Sequence, residues 1–325
     1  MHKPVHVKLL RWYEHHGRHD LPWRHSRDAY HIWVSEIMLQ QTQVATVLER
    51  FYTPFLQQFP TLHDLAAATQ EQVLKEWEGL GYYTRARNLH KTAQLVGSAL
   101  PQSVHELVQL PGIGKSTAHA IAAFAYRTPV PILDANVKRI LYRFFGQTRA
   151  SDKELWALAY RLFDEEHPFE YNQAMMDVGS LICRSKECAC THCPFESQCY
   201  AAQQGTPLAF PEKKVAKTVP IRRKDIVVFT CNNRYALKQR QSRFLNGLWG
   251  FVEYETTSAE TDKEMQKLGA IVQKYSHFHL HADVYMSDTT TEEDIEWFTL
   301  TEIQKLPLSR ADHKVMTLLQ QSNIP

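Results

Sequence analysis

What this 325-residue chain lacks narrows its identity before any motif is read. No stretch reaches the roughly 18 uninterrupted apolar residues that a membrane-spanning helix needs. The opening residues, MHKPVHVKLLRWYEHHGRHD, hold no long apolar core of the secretory kind, so an intracellular, cytoplasmic protein is expected. Charge of one sign is also missing. The net charge is +2, with 21 Lys+Arg against 20 Asp+Glu in residues 1–205 and 16 against 15 in residues 206–325. Neither part is basic enough to announce a nucleic-acid partner by charge alone. There is no tandem repeat and no low-complexity tract, which excludes solenoid and fibrous architectures. What remains is an ordinary globular composition, 44% hydrophobic and 22% charged, long enough for two domains with separate cores.

The chain changes character once. From Val5 to about Ala202 apolar residues recur at three- and four-residue spacing, as in IWVSEIMLQQTQVATVLERF, ARNLHKTAQLVGSAL, TAHAIAAFAY, NVKRILYRFF, KELWALAYRLF and NQAMMDVGSLI. That period belongs to amphipathic helices. The stretch GTPLAFPEKKVAKTVP has three prolines and no period, and a basic run of Lys213, Lys214, Lys217, Arg222, Arg223 and Lys224 overlaps it. Residues 205–224 are therefore expected to form a basic linker. Beyond it DIVVFT, RYALKQR, LWGFVEY, KYSHFHLHADVYM and EWFTL are β-branched and aromatic, as strands are, and HKVMTLLQQ closes the chain as a helix. The expected fold class is α+β multidomain: residues 1–204 helical, 205–224 linker, 225–325 β-rich.

Three features carry chemistry. Five of six cysteines fall between Cys183 and Cys199. Cys183, Cys190, Cys193 and Cys199 give the spacing C-x6-C-x2-C-x5-C, and four thiolates on short loops can surround either a zinc ion or an iron–sulfur cluster. The spacing makes a metal site without choosing the metal, and Cys188 is a fifth candidate. Second, LPGIGKSTA places Gly112 and Gly114 before Lys115 at a helix start, where backbone amides can meet phosphate oxygens. The glycines are too close for a nucleotide phosphate loop of the GxxxxGK[ST] kind. Third, Glu36 interrupts the apolar run IWVSEIMLQQ, and Asp134 stands in PVPILDANVKRI at a helix start, where it could equally serve as a cap.

These segments together carry a resemblance. LPWR, WVSEIMLQQTQVATV, GLGYYTRARNLHK, LPGIGKSTA, ILDANVKR and YNQAMMDVGSLIC, followed by the four cysteines, closely resemble the MutY adenine DNA glycosylases of the helix–hairpin–helix superfamily. The resemblance implies a two-lobed all-helical domain with a [4Fe–4S] cluster held by Cys183, Cys190, Cys193 and Cys199. It implies that Glu36 protonates adenine at N7 and that Asp134 stabilises the oxocarbenium-like sugar, supported by Asn136 with Ser116 nearby. That division suits the reaction, since a glycosidic bond needs an acid for its leaving group and an anion for its sugar. Trp23, Arg24 and Gln173 match residues lining the adenine pocket. Gln41 and Tyr82 match side chains that wedge beside the oxidised base.

The endonuclease III branch shares this fold but uses a hairpin lysine as an amine nucleophile. The matching position here is Ser116, so the resemblance implies a monofunctional hydrolase and not a glycosylase/lyase. A non-catalytic damage-binding protein is the other alternative, and the presence of both carboxylates speaks against it. Residues 225–325 look like the Nudix-fold domain that reads 8-oxoguanine in this family, and Tyr275-Ser276-His277 matches its Phe-Ser-His loop with Tyr for Phe. No REUxEExGU helix follows Gly250, which points to recognition without pyrophosphatase chemistry. The expected partner is double-stranded DNA with adenine opposite 8-oxoguanine or guanine, bound by a monomer. One departure is Ala135, where relatives have glycine. The extra methyl matters only if that position needs positive φ.

Overall fold

The computed structural model describes residues 3–213, 218–256, 265–290 and 292–322. Contacts divide the chain into two compact units, Met1–Tyr52 with Leu95–Val215 and Thr53–Gln94 with Ala216–Pro325. The grouping does not follow linear order, because helices from the first half share a unit with the last third.

In the first unit local sequence sets the helix limits. Asp28 accepts a hydrogen bond from the Tyr30 amide and starts helix Ala29–Leu39. Ser151 and Glu154 form a capping box before helix Asp152–Leu162, and Pro168 opens helix Pro168–Asp177. The periodic run from Ile32 to Phe51 is not one helix. It breaks between Leu39 and Val44, where Gln41 adopts φ 57°. A left-handed residue ends the ladder of amide hydrogen bonds, although the apolar period continues past it. Helix Pro168–Asp177 runs into a π-helical turn, Val178–Ile182, that delivers Cys183. Leu9, Leu141, Leu162, Ala174 and Val178 form the core, with Cys183, Cys193 and Cys199 packed against it. Each large apolar side chain there contributes roughly 1.5–3 kcal/mol by leaving water.

Part of the stretch 205–224 is better anchored than a linker. Arg143 donates to the Phe210 carbonyl at 3.1 Å, the Glu212 amide to the Thr148 carbonyl at 3.0 Å, and Arg149 pairs with Glu212. Lys214 and Lys217 lie outside the described residues. Arg222, Arg223 and Lys224 already belong to strand β1, Ile221–Cys231. Its first residues are exposed, so no apolar alternation announced that end.

The second unit is built on a sheet. Among the described residues six strands follow β1: β2 Arg234–Gln239, β3 Trp249–Gly250, β4 Val252–Glu255, β5 Gln266–Lys274, β6 His279–Ser287 and β7 Glu296–Phe298. The order is β3-β2-β1-β6-β5, with β4 also on β1 and β7 on β2. Among the strand pairs of the described residues, β1 and β6 pair parallel and the others antiparallel. Side chains of β1 alternate across the sheet. Ile226 and Val228 meet Val315 and Leu319 of helix Arg310–Gln321, whereas Val227 and Phe229 pack with Val252. The segment KYSHFHLHADVYM, expected as one strand, instead holds the end of β5, a turn at residues 275–278, and β6. Segment 53–94 joins this unit through directed contacts. Lys75 donates to the carbonyls of Gln304 and Leu306 at 2.7 and 3.0 Å, and Tyr83 to that of Leu308 at 3.2 Å. No described helix is long and apolar enough to cross a membrane.

Candidate active site

A cavity of about 640 Å³ opens in the first unit. Glu36 and Asp134 both line it, together with Trp23, Arg24, Gln41, Ser116, Asn136 and Gln173. Residues scattered over 150 positions of sequence thus share one wall, because helices Ala29–Leu39, Lys115–Tyr126, Ala135–Phe144 and Pro168–Asp177 each present one stretch to it.

The two carboxyls have different settings. Glu36 lies mid-helix among Trp33, Val34 and Ile37, all buried. Part of its surface stays open to the cavity, but the surrounding walls desolvate the carboxyl itself. Burial pushes Glu36 up to about 7; Asp134 adds to the rise and Arg24 opposes it. Asp134 is the N-cap of helix Ala135–Phe144. Its carboxylate accepts from the Val137 amide at 2.7 Å and from the Asn136 amide nitrogen at 3.2 Å. Burial raises Asp134 as well, against those donors and the more distant Arg139. Capping and lining the cavity are one arrangement, since the side chain that closes the helix start also faces inward. Ala135 begins the helix with an ordinary right-handed backbone, so its methyl causes no strain.

Three supporting residues, Asp177, Arg139 and Gly179, had no role assigned from the sequence. Asp177, fully buried, takes two hydrogen bonds from Arg24 at 2.7 and 2.8 Å and further ones from Arg18. Burial alone would raise its carboxyl, but the two guanidiniums hold it below the usual range. A carboxylate inside the apolar run MMDVGSLI is the same signal that singled out Glu36. Arg139 donates to Asn136 at 2.9 Å and to the carbonyls of Gly179 and Cys183, both at 2.6 Å. Gly179 is required there, since an added Cβ would lie 2.5 Å from that of Asn136. Gln173 is 3% exposed, and its side-chain oxygen has no hydrogen-bond partner.

Residues 34–164 match the HhH-GPD superfamily of base excision DNA repair proteins, and residues 226–318 match the NUDIX domain. An adenine DNA glycosylase of Buchnera aphidicola (subspecies Acyrthosiphon pisum) is 32% identical over 95% of this chain and 95% of its own. This chain belongs to the adenine DNA glycosylase family. The Homo sapiens adenine DNA glycosylase is 44% identical over 60% of this chain and 39% of its own. Among solved structures, a thermostable thymine-DNA glycosylase superposes with a TM-score of 0.57 at 28% identity, covering 62% of this chain and 98% of its own. The helical fold with a C-terminal Nudix-like sheet is the one expected for the family.

In this adenine DNA glycosylase family member the hairpin runs from helix Val104–Leu107 to helix Lys115–Tyr126. Gly112 takes φ 77°, and Gly114 is an extended N-cap with no side-chain cap, leaving the first amides of the helix open. Lys115 is turned aside, its ammonium 4.1 Å from the Trp156 ring centre. Among the described residues no lysine lines the cavity.

The cysteines gather at the end of the π-helical turn. Arg143 donates to Cys183 Sγ at 3.1 Å and to Cys188 Sγ at 3.0 Å. Cys190 begins a 3₁₀ turn that ends beside Cys193. Among the described residues no three of these thiols come within 4.8 Å of one another. Four thiolates on one zinc ion, with Zn–S near 2.3 Å, would stand about 3.8 Å apart.

A second cavity, about 460 Å³, lies within the second unit and is lined by Tyr82, Arg87, Phe244, Tyr275, Ser276 and His277 among others. Tyr82 is exposed and holds φ 51°. Gln41, paired with Tyr82 in the sequence expectation, lines the first cavity instead. Both have left-handed backbones, a conformation that persists in non-glycine residues only where the surroundings impose it.

Proposed function

We propose that this protein is a monofunctional base-excision repair glycosylase that hydrolyses the N-glycosidic bond of adenine paired with 8-oxoguanine or guanine in double-stranded DNA. One observation carries the reading: Glu36 and Asp134 line the same cavity, Glu36 from within a helix and Asp134 from a helix start that gives its carboxylate two donors.

Glu36, neutral up to about pH 7, donates its proton to adenine N7 as the bond to C1′ breaks. The Val137 and Asn136 donors favour the anionic form of Asp134, which faces the oxocarbenium-like sugar, while Asn136 and Arg139 fix its orientation. Water completes the hydrolysis, and Ser116 lies in the same wall. Turning adenine out of the duplex costs a few kcal/mol, so a shaped pocket is needed. Trp23 provides an apolar wall, and the unpaired oxygen of Gln173 suits the exocyclic amino group of adenine. Gln41 and Tyr82 serve as wedges. With Ser116 where a lyase has lysine, and Lys115 held on Trp156, no amine is offered for an imine.

The chemistry is assigned to residues 1–204, with residues 205–224 connecting them to a recognition domain, 225–325. Gly112, Gly114 and Lys115 open a helix start toward DNA phosphates. In the second cavity, Ser276 and His277 receive 8-oxoguanine, whose N7–H donates where guanine only accepts. The four thiolates of Cys183, Cys190, Cys193 and Cys199 would hold a [4Fe–4S] cluster, which when bound braces the loop 183–199 against the helical core. The protein acts as a monomer in the cytoplasm, on DNA.

Single-turnover adenine release from duplexes with adenine opposite 8-oxoguanine, guanine or thymine tests the reading. Release should be fastest opposite 8-oxoguanine, and borohydride should trap no covalent adduct. An enzyme that leaves all three intact, or that is trapped efficiently, is not the one described.

A further inference from the structure

The second cavity contains an aromatic side chain that neither motif nor proposed chemistry has used. Phe244 stands half-buried in the loop joining β2 to β3. Its ring centre lies 5.0 Å from that of Tyr275, 5.1 Å from that of His277 and 5.2 Å from that of Phe278, steeply inclined to each. These three rings belong to the turn that carries Ser276, which is itself exposed in the cavity. The turn is closed by the Tyr275 amide donating to the Phe278 carbonyl at 2.9 Å, and the Arg222 guanidinium stands over Phe278 at 4.3 Å.

Phe244 is itself firmly placed. Ser242 donates to its carbonyl at 2.9 Å, Asn246 bridges to the Gln241 carbonyl at 2.9 Å, and Arg87 donates to the Asn246 carbonyl at 2.9 Å. The Gly247 amide closes the loop on the Arg240 carbonyl at 2.8 Å. Next to the ring, Leu245 holds φ 57°, which a leucine keeps only when its surroundings over-determine it. The ring is therefore a fixed stop against which the Tyr275–Phe278 turn rests. Edge-to-face contact fixes direction as well as distance.

We propose that Phe244 is the positioning residue through which Ser276 and His277 discriminate 8-oxoguanine from guanine; this rests on the reading that the second cavity receives the oxidised base. Truncating the ring leaves the turn joined by its backbone but free to shift on one side. A contact that depends on hydroxyl placement then weakens, while duplexes that never make that contact are processed as before. The effect falls on a ratio of rates, not on both rates together.

The test measures single-turnover adenine release opposite 8-oxoguanine and opposite guanine for the unaltered protein, S276A, F244A, F244Y and the double variant S276A/F244A, with melting temperatures alongside. F244A should reduce the preference for 8-oxoguanine about five- to tenfold, the worth of one well-placed hydrogen bond. Release opposite guanine should stay within about twofold, F244Y should restore most of the preference, and the double variant should lose no more than S276A alone. If S276A loses the preference and F244A keeps it, the assignment of Phe244 is wrong and the cavity reading stands. If F244A slows both substrates equally with a lowered melting temperature, the residue is merely structural and the proposal falls. If the unaltered protein shows no preference, or S276A leaves it intact, the cavity reading itself fails.

Discussion

Replacing Glu36 by glutamine tests the acid directly, because the two side chains are nearly the same shape and only one can give up a proton. A carboxyl held at about 7 in place of its ordinary 4.5 carries ~3 kcal/mol of bias toward the neutral form. A positioned general acid contributes about 10²–10⁴-fold to such a step, so E36Q should lose adenine release by that factor while still binding duplex. In the unaltered protein release should fall as pH rises through about 7, where Glu36 loses its proton, and the E36Q rate should be low and flat there. Stability gives an independent check. Glu36 titrates higher in the folded protein than in the unfolded chain, so folding loses stability as pH rises from 4.5 to about 7. E36Q carries no such penalty and should gain on the unaltered protein over that window, by up to ~3 kcal/mol at alkaline pH. Single-turnover kinetics and urea melts from about pH 5 to 9 read both quantities. Release by E36Q within tenfold of the original, or a rate flat across neutrality, would refute the assignment.

Three other perturbations separate structure from chemistry. D134N keeps a good N-cap, so its melting temperature should stay within a few degrees while adenine release drops by about 10³-fold; substantial release would remove the sugar-stabilising role. D177N leaves Arg18 and Arg24 around a buried neutral group and should destabilise the fold by about 3–5 kcal/mol in denaturant titrations; a loss near zero would mean that the clamp is not structural. Because Asp177 is held below its usual range, its contribution is present at neutral pH and lost as pH falls through that lowered value. C199S should purify without the visible absorbance of an iron–sulfur chromophore and with sub-stoichiometric iron and sulfide; full occupancy would show that Cys199 is not a ligand.

How much of this was legible in the sequence depends on the range of the interaction. Residues whose neighbours are local, such as Asp134 at its helix start or the glycines of the hairpin, announce themselves through spacing. Glu36 was legible because a charge interrupts an apolar helical face. Asp177 interrupts one in the same way, yet nothing local names Arg18 and Arg24, more than 150 residues away, as its partners. Arg139 meets Asn136 within one turn of its own helix, but Arg143 reads as an ordinary polar position, and only the fold brings it to two cysteines. Strand β5 was missed because it alternates weakly and carries a bulge near Gly269. The grouping of residues 53–94 with the sheet was equally hidden, since it rests on Lys75, Glu78 and Tyr83 reaching the backbone of residues 304–308.

Both carboxyls in the first cavity are raised by burial, so burial by itself assigns neither an acid nor an anion. Position along the helices does. Glu36 sits in the middle of its helix, where every nearby amide already serves an intrahelical carbonyl and none is left to solvate a charge. Asp134 sits at the start of its helix, where unpaired amides and the positive end of the helix dipole favour a negative oxygen. Two like charges in one cavity also cannot both form without penalty, and the repulsion falls on the carboxyl with fewer donors. A single shared proton therefore belongs on Glu36. That division can be inverted by chemistry as modest as V137P, which removes the amide that Asp134 accepts. With that donor gone, Asp134 should titrate higher and compete for the proton, and the acid side of the pH–rate profile should move upward toward neutrality. A profile whose acid limb stays in place would show that something other than the helix start decides which carboxyl is charged.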